Sequence, residues 1–359
     1  MSHLESVKSA LADGAALLVT SEVNQRWLTN FAFTDGYVLV TKGESYLITD
    51  FRYIEAARAE ADPGFNILMP AGRKMIEEIS SLLKSASVNT LLIEDDTLSV
   101  SAFERIKASI PDVNTVSGGS AVIDGLRRFK DSGELLKLAR AQAITDAAFE
   151  HILGYINPER TEIDVALELE FFMRKNGAEG LSFETISVSG SASSMPHGVP
   201  RPVKLEKGFL TMDFGAKVDG YCADMTRTVV IGKADDDMKH LYNTVLTAQT
   251  SALEALYGGE RERKKIDAIA RDIIDNAGYH GCFGHSLGHG IGMYCHEAPG
   301  LSPASPVGEL LMPGDVVTCE PGIYLSGKYG CRIEDMVAVT GDGIINFTKS
   351  PKELIELCF

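Results

Sequence analysis

Cysteine is missing from the first 221 residues, and the six that follow, at 222, 282, 295, 319, 331 and 358, include no C-x-x-C pair. That spacing argues against a disulfide framework and a cysteine zinc site, and a reducing cytoplasm is the expected setting. Long apolar runs are absent too: no stretch of eighteen apolar residues occurs, so no bilayer-spanning helix is expected. The opening MSHLESVKSALADGAALLVT breaks every apolar run with charge, unlike a conventional signal peptide. Basic residues are in deficit. Fifty acids face thirty-four bases, leaving a net charge of -16 that repels phosphate backbones and acidic lipid, so neither nucleic acid nor membrane is an expected partner.

What is present is ordinary globular composition over a length at which one hydrophobic core usually stops growing, 359 residues with 45% hydrophobic and 23% charged. Two domains are therefore expected. Up to about residue 120, strand-like runs (ALLVT, GYVLV, SYLIT, FNILM, TLLIE) alternate with helix-like stretches at Tyr53 to Ala61 and Met75 to Leu83, the pattern of an α/β domain. The small-residue stretch Ser117-Gly-Gly-Ser-Ala121 is the expected boundary zone, giving domains over 1–124 and 125–359. Asp131-Ser-Gly-Glu134 resembles a helix cap, and a second helix is expected over Ile163 to Arg174. From about 181 the texture is β-like, with a helical return between Asp237 and Ala277.

Those later strands carry the acids that matter. In FLTMDFGAKVDGYCADMTRTVVIG, a turn at Asp219-Gly220 sets Asp213 opposite Thr226 and puts Asp213 and Asp224 on one face. In VVTCEPGIYLSGKYGCRIEDMVAV, Glu320 and Glu334 are equidistant from Gly327 and oppose each other, with Arg332 on the same face. An acid beside a turn is usually just solvated. Here the runs LTM and VVTC look buried, and ionised carboxylates there need a positive partner or titrate to neutrality. One arginine does not balance four anions; two divalent cations do.

A metal pair held by carboxylates usually takes an imidazole as well. GCFGHSLGHGIGMYCHEAPG, residues 281–300, offers His285, His289 and His296 among six glycines. A helical H-E-x-x-H reading fails because Ser-Leu-Gly separates the first two histidines and the glycines disfavour helix. A phosphate cradle fails for want of G-x-G-x-x-G or G-K-[ST]. An extended segment approached closely by neighbouring backbone fits better.

These residues resemble the pita-bread metallopeptidases, the superfamily of methionine aminopeptidase, aminopeptidase P, prolidase and creatinase. The likeness runs in order through Thr49-Asp-Phe-Arg-Tyr53, Leu181-Ser-Phe-Glu-Thr-Ile186, Met195-Pro-His-Gly198, Asp213, Asp224, H-S-L-G-H-G-I-G, Glu320-Pro-Gly-Ile-Tyr324 and Gly330-Cys-Arg-Ile-Glu-Asp335. It implies a creatinase-like α/β N-terminal domain followed by an α+β pita-bread catalytic domain. It also implies that Asp213 binds one metal, that Asp224 and Glu334 bridge two, and that His289 and Glu320 complete the second. By the same likeness His197 and His296 stabilise the tetrahedral intermediate and handle protons, Glu320 is general base, His285 is accessory and Arg332 orients a ligand. The donor set favours manganese, then cobalt, iron or zinc.

Creatinase lacks the full ligand set and methionine aminopeptidases usually lack such an N-terminal domain. The resemblance therefore implies hydrolysis of the Xaa-Pro bond in dipeptides or short peptides, by a homodimer. The alternative is an aminopeptidase P-like enzyme acting on longer peptides. A binding protein that keeps the fold without activity is the third reading, opposed by the complete ligand set. Ser286 and Met293-Tyr-Cys295 depart from the family's usual filling. Cys222 is expected as packing and Trp27 as core or interface.

Overall fold

A computed structural model describes residues 1–359, the side chain of Arg73 excepted. The chain divides into two compact units, Met1–Arg127 and Arg128–Phe359.

In the first unit, near-continuous apolar runs build a six-stranded sheet. Its order is Asn66–Leu68, Ser45–Thr49, Gly36–Thr41, Ala15–Val19, Thr90–Ile93, Asn114–Val116. Gly36–Thr41 is antiparallel to both neighbours and the outer pairs are parallel. Ala15–Val19 is buried along its whole length, as a central strand covered on both faces must be. The expected helices stand at Ile54–Glu60 and Met75–Ser85, the latter setting Ile79 and Leu83 against Leu18, Leu39 and Ile48. The sixth strand, only three residues long, has no run to announce it. Ser117 to Ala121 runs into a helix, Gly119–Arg127, inside this unit. Trp27 belongs to the core, 5% exposed and stacked on His3.

The second unit opens with helix Ser132–Tyr155, where Asp131 and Glu134 form a reciprocal capping box that satisfies two otherwise orphan amides. Helix Glu162–Lys175 has the same device in Thr161 and Asp164. Between 236 and 274 the helical return is two helices, Asp236–Tyr257 and Arg263–Ile274, because Gly258 and Gly259 end the first and Gly259 takes a left-handed φ of 97°.

A four-stranded sheet (Glu356–Leu357, Met225–Ile231, Gly208–Phe214, Ile186–Ser189), a five-stranded one (Glu297–Leu301, Gly288–Gly290, Val316–Cys319, Asp335–Thr340, Gly343–Asn346) and a three-stranded one (Tyr221–Cys222, Ala216–Val218, Gly180–Leu181) carry the rest, with a separate hairpin, Gly322–Leu325 with Tyr329–Arg332. Period-two alternation decides what each face does. Leu210, Met212 and Phe214 pack with Phe149, Val165 and Leu169 of the two helices. Thr211 and Asp213 therefore turn to the opposite face, with Thr226 and Thr228 across the ladder.

Both carboxylate-bearing hairpins share one irregularity. Asp213 faces Thr226 and Lys217 faces Cys222 in a single unbroken register around Asp219-Gly220, both at positive φ, yet the ladder lapses between Phe214 and Ala216. Gly215 stands in that lapse, and a Cβ there would lie 1.8 Å from the Ala223 carbonyl oxygen, so only glycine fits this close approach of backbone. Likewise Cys319 faces Asp335 and Gly322 faces Arg332 in one register, with Glu320 and Glu334 in the unpaired gap between. Three of the four acids thus stand where strands release one another. All six cysteines are free thiols. No helix among the described residues is long and apolar enough to cross a membrane.

Candidate metal centre

The two gaps and the histidine segment meet at one cavity of about 820 Å³, lined by Asp213, Asp224, His289, Glu320 and Glu334 together with His197, His285, His296 and Arg332. Every site residue expected from sequence is in that lining. Its outer wall is the Ile163, Ala166, Leu167 stripe of helix Glu162–Lys175 and the Pro196–Pro200 loop.

The histidine segment is extended, not helical. Gly288–Gly290 pairs with Glu297–Leu301 on one side and with Val317 on the other. A Cβ at Gly288 would sit 2.0 Å from the Thr318 carbonyl oxygen, so only glycine lets this strand approach its neighbour. His289 N–H donates to Thr318 Oγ1 at 3.0 Å, and its Nδ1 donates to the Gly290 carbonyl at 3.0 Å. That bond leaves Nε2 aimed at the acids, 3.4 Å from Glu320 Oε1 and 3.5 Å from Asp224 Oδ2. Donor atoms of Asp224, His289 and Glu334 all lie within 4.8 Å of one another.

Arg332 is 3% exposed and spends its guanidinium on four partners. It donates to Asp213 Oδ2 at 2.6 Å, Tyr324 Oη at 2.7 Å, Thr226 Oγ1 at 2.9 Å and the Pro196 carbonyl at 3.2 Å. Thr226 in turn donates to Glu334 Oε2 at 2.7 Å. Tyr324 Oη meets His285 Nε2 at 3.0 Å, and His285 Nδ1 donates to the Ser286 carbonyl at 2.8 Å, so that imidazole is committed to the protein. His296 lies against His289, ring centroids 4.2 Å apart.

Electrostatics express the imbalance of four carboxylates around one arginine. Burial pushes Asp213 up to about 6, against the pull of Arg332 and with Asp224 adding to the rise. Burial likewise pushes Glu320 up to about 7, opposed by His289 and Arg332. Glu334 is held well above the carboxylate range by burial and then by Asp224 and Glu320. Burial opposes a charge on His289, yet Asp224 and Glu320 together raise it to about 9. His285 falls to about 4 through burial and then Arg332, and burial also lowers His296.

Two carboxylate oxygens, Asp213 Oδ1 and Glu334 Oε1, are buried without a hydrogen-bond partner. Unmet buried acceptors of this kind cost about 1–3 kcal/mol or more each when charged. A hard divalent cation satisfies them and removes the reason for the raised carboxyl pKa values; the residues fit the group.

Residues 137–341 match the model of metallopeptidase family M24, more than half of the chain, and residues 9–129 match the creatinase/prolidase N-terminal domain. The chain belongs to metallopeptidase family M24. An uncharacterized peptidase of Bacillus subtilis is 41% identical over 342 residues, 95% of each chain. Among solved structures, an Xaa-Pro dipeptidase from Bacillus anthracis matches with a TM-score of 0.92 at 43% identity, covering 99% of both chains. An X-Pro aminopeptidase from Thermotoga maritima matches with a TM-score of 0.90 at 34% identity, covering 98% of this chain and 99% of that one. The expected fold class, a creatinase-type α/β domain followed by an α+β catalytic domain, is the fold of this M24 chain. Its enzyme class, a metallopeptidase depending on divalent metal, follows from the same membership.

Within this M24 centre three contacts go beyond the sequence reading. Thr226 appears there only as the strand partner of Asp213, whereas it links Arg332 to Glu334. Tyr324, quoted there as part of Glu320-Pro-Gly-Ile-Tyr324, joins Arg332 to His285. Cys295, noted as an unusual filling, donates from Sγ to Asp224 Oδ2 at 3.4 Å. Cys222 packs, 2% exposed, with Sγ toward the Met293 carbonyl.

Proposed function

We propose that this chain hydrolyses the Xaa-Pro bond of dipeptides and short peptides with two divalent metal ions per subunit, manganese first among them. The observation that carries it is the pair of buried orphan oxygens, Asp213 Oδ1 and Glu334 Oε1, inside a cavity already crowded with negative charge. Asp213, Asp224, His289, Glu320 and Glu334, which line the one cavity, would hold the ions. Four carboxylates and one imidazole form a hard donor set that suits manganese better than zinc or cobalt. When bound, the ions lower the pKa of a water molecule and polarise the scissile carbonyl.

The chain's own groups do the rest. Glu320, with Thr318 Oγ1 on Oε1, accepts the proton of the attacking water as general base. His197 and His296 line the same cavity and donate to the oxygen that gains charge as the carbonyl is attacked. The nitrogen of a bond to proline carries no hydrogen and must be protonated to leave; the proton that Glu320 takes from water is passed on to it, with His197 and His296 as the neighbouring groups that relay it. His285, bonded to Tyr324, serves as a fixed prop, and Arg332 orients Asp213.

The Bacillus anthracis relative named as an Xaa-Pro dipeptidase supports the dipeptide reading, and the Thermotoga maritima X-Pro aminopeptidase supports activity on longer peptides. A homodimer working in the cytoplasm completes the proposal; the free thiols accord with a reducing setting. The test is to strip metal with a chelator, restore manganese, and compare proline release from Ala-Pro with alanine release from a longer Ala-Pro peptide. Activity should vanish and return with the metal. Activity that persists in metal-free protein rejects the metal mechanism, and cleavage of neither substrate rejects the peptidase reading.

A further inference from the structure

Behind the histidine segment stands a buried ion pair that the chemistry above does not use. Lys130 Nζ lies 2.5 Å from Glu297 Oε1, with the two side chains 1% and 11% exposed. The lysine is anchored elsewhere as well: its ammonium donates to the Arg128 carbonyl at 3.2 Å and its backbone N–H to the Gly314 carbonyl at 2.9 Å. Neither residue is among those lining the cavity.

The position of this pair in the chain is informative. Glu297 directly follows His296, and across the ladder it faces Gly290, which directly follows His289. Residues 291–296, with His296 the last of them, therefore form a loop closed at its base by the Gly290–Glu297 pairing. The ion pair presses on that loop: a Cβ at Gly292 would meet Glu297 Oε1 at 2.4 Å and Lys130 Cε at 2.9 Å. Gly292 is held from another direction by the Cys222 N–H, which donates to its carbonyl at 2.8 Å.

A buried ion pair recovers little net stability, because desolvation offsets most of the attraction, so its value lies in fixing geometry. We infer that Lys130 and Glu297 are positioning residues that set the His296 imidazole against His289 and toward the reacting carbonyl. This rests on the peptidase reading of the centre. A misplacement of about 1 Å in such a group costs about 100-fold in rate, whereas metal held by the five ligands is untouched.

The test uses full-length, manganese-loaded protein carrying Lys130→Met with Glu297→Gln, each change alone, and the same changes on a His296→Ala background. The paired variant, with no charge left unpaired, should keep an unfolding midpoint near that of the wild type and a manganese affinity within about 3-fold by calorimetry. Its kcat should fall about 10- to 100-fold with KM little changed, and on the His296→Ala background the same changes should cost less than about 2-fold more. Unchanged kcat in the folded paired variant overturns the inference. So does a loss that multiplies on the His296→Ala background, or one explained by weakened metal binding. If the paired variant does not fold, Glu297→Gln alone carries the same readings. A wild-type enzyme that cleaves no Xaa-Pro substrate sinks the parent reading instead.

Discussion

Arg332 Nη2 donates to Asp213 Oδ2 across 2.6 Å, tying the outgoing strand of one hairpin to the incoming strand of the other. The contact holds one oxygen of Asp213 and leaves Oδ1 without a partner. Lysine would keep a charge here but, as a point donor, would not reach Asp213, Thr226, Tyr324 and the Pro196 carbonyl at once. Arg332→Lys is therefore expected to weaken manganese binding about 10- to 100-fold, the usual cost of losing a group that orients a ligand. Calorimetric titration measures it; an unchanged dissociation constant contradicts the role.

Gly215 sits opposite Asp224 in this register, and any side chain there meets the Ala223 carbonyl oxygen. Gly215→Ala should cost about 3 kcal/mol or more, since backbone rather than a flexible side chain has to yield. Urea unfolding of the metal-free protein reads this directly. A loss below about 1 kcal/mol would mean that the hairpin tolerates respacing at the site.

Glu162 clasps the loop that carries His197. Its carboxylate is fully buried and accepts from Arg201 Nε at 2.8 Å and Arg201 N at 2.9 Å, and from Ser189 N at 2.7 Å. Burial acts to raise its pKa, but Arg201 and Ser189 outweigh it and the net shift is downward. Between the lowered folded value and the ordinary value of 4.5, the unfolded chain binds more protons than the folded one. The stabilisation is thus fully present above pH 4.5 and lost as pH falls through the folded pKa. Glu162→Gln should cost about 1–3 kcal/mol at neutral pH, with the gap to wild type closing as acid is added. Denaturant unfolding from pH 7 down to pH 3 checks the sign, and a gap that widens in acid contradicts it.

Local chemistry made much of this centre legible. Asp219-Gly220 demands a two-residue turn, and that turn alone sets Asp213 opposite Thr226. The spacing around Gly327 does the same for Glu320 and Glu334. Glycines at 288, 290 and 292 forbade a comfortable helix, and the segment is extended. Asp131 and Glu134 declared a helix start three residues apart. The sixth strand of the first unit and the split at Gly258-Gly259 were not declared, the one too short for a pattern and the other lying between two segments of the same helical texture.

By itself, then, the amino-acid order determined which acids each hairpin brings near one another, which histidine segment is extended and where the capped helices begin, because turns, caps and alternation act over a few residues. Only the tertiary structure decided that Arg332 reaches Asp213, that Thr226 holds Glu334, and that Lys130 meets Glu297 from 167 positions away. Those contacts depend on how sheets and helices pack, and no local preference encodes a meeting between residues so distant in the chain.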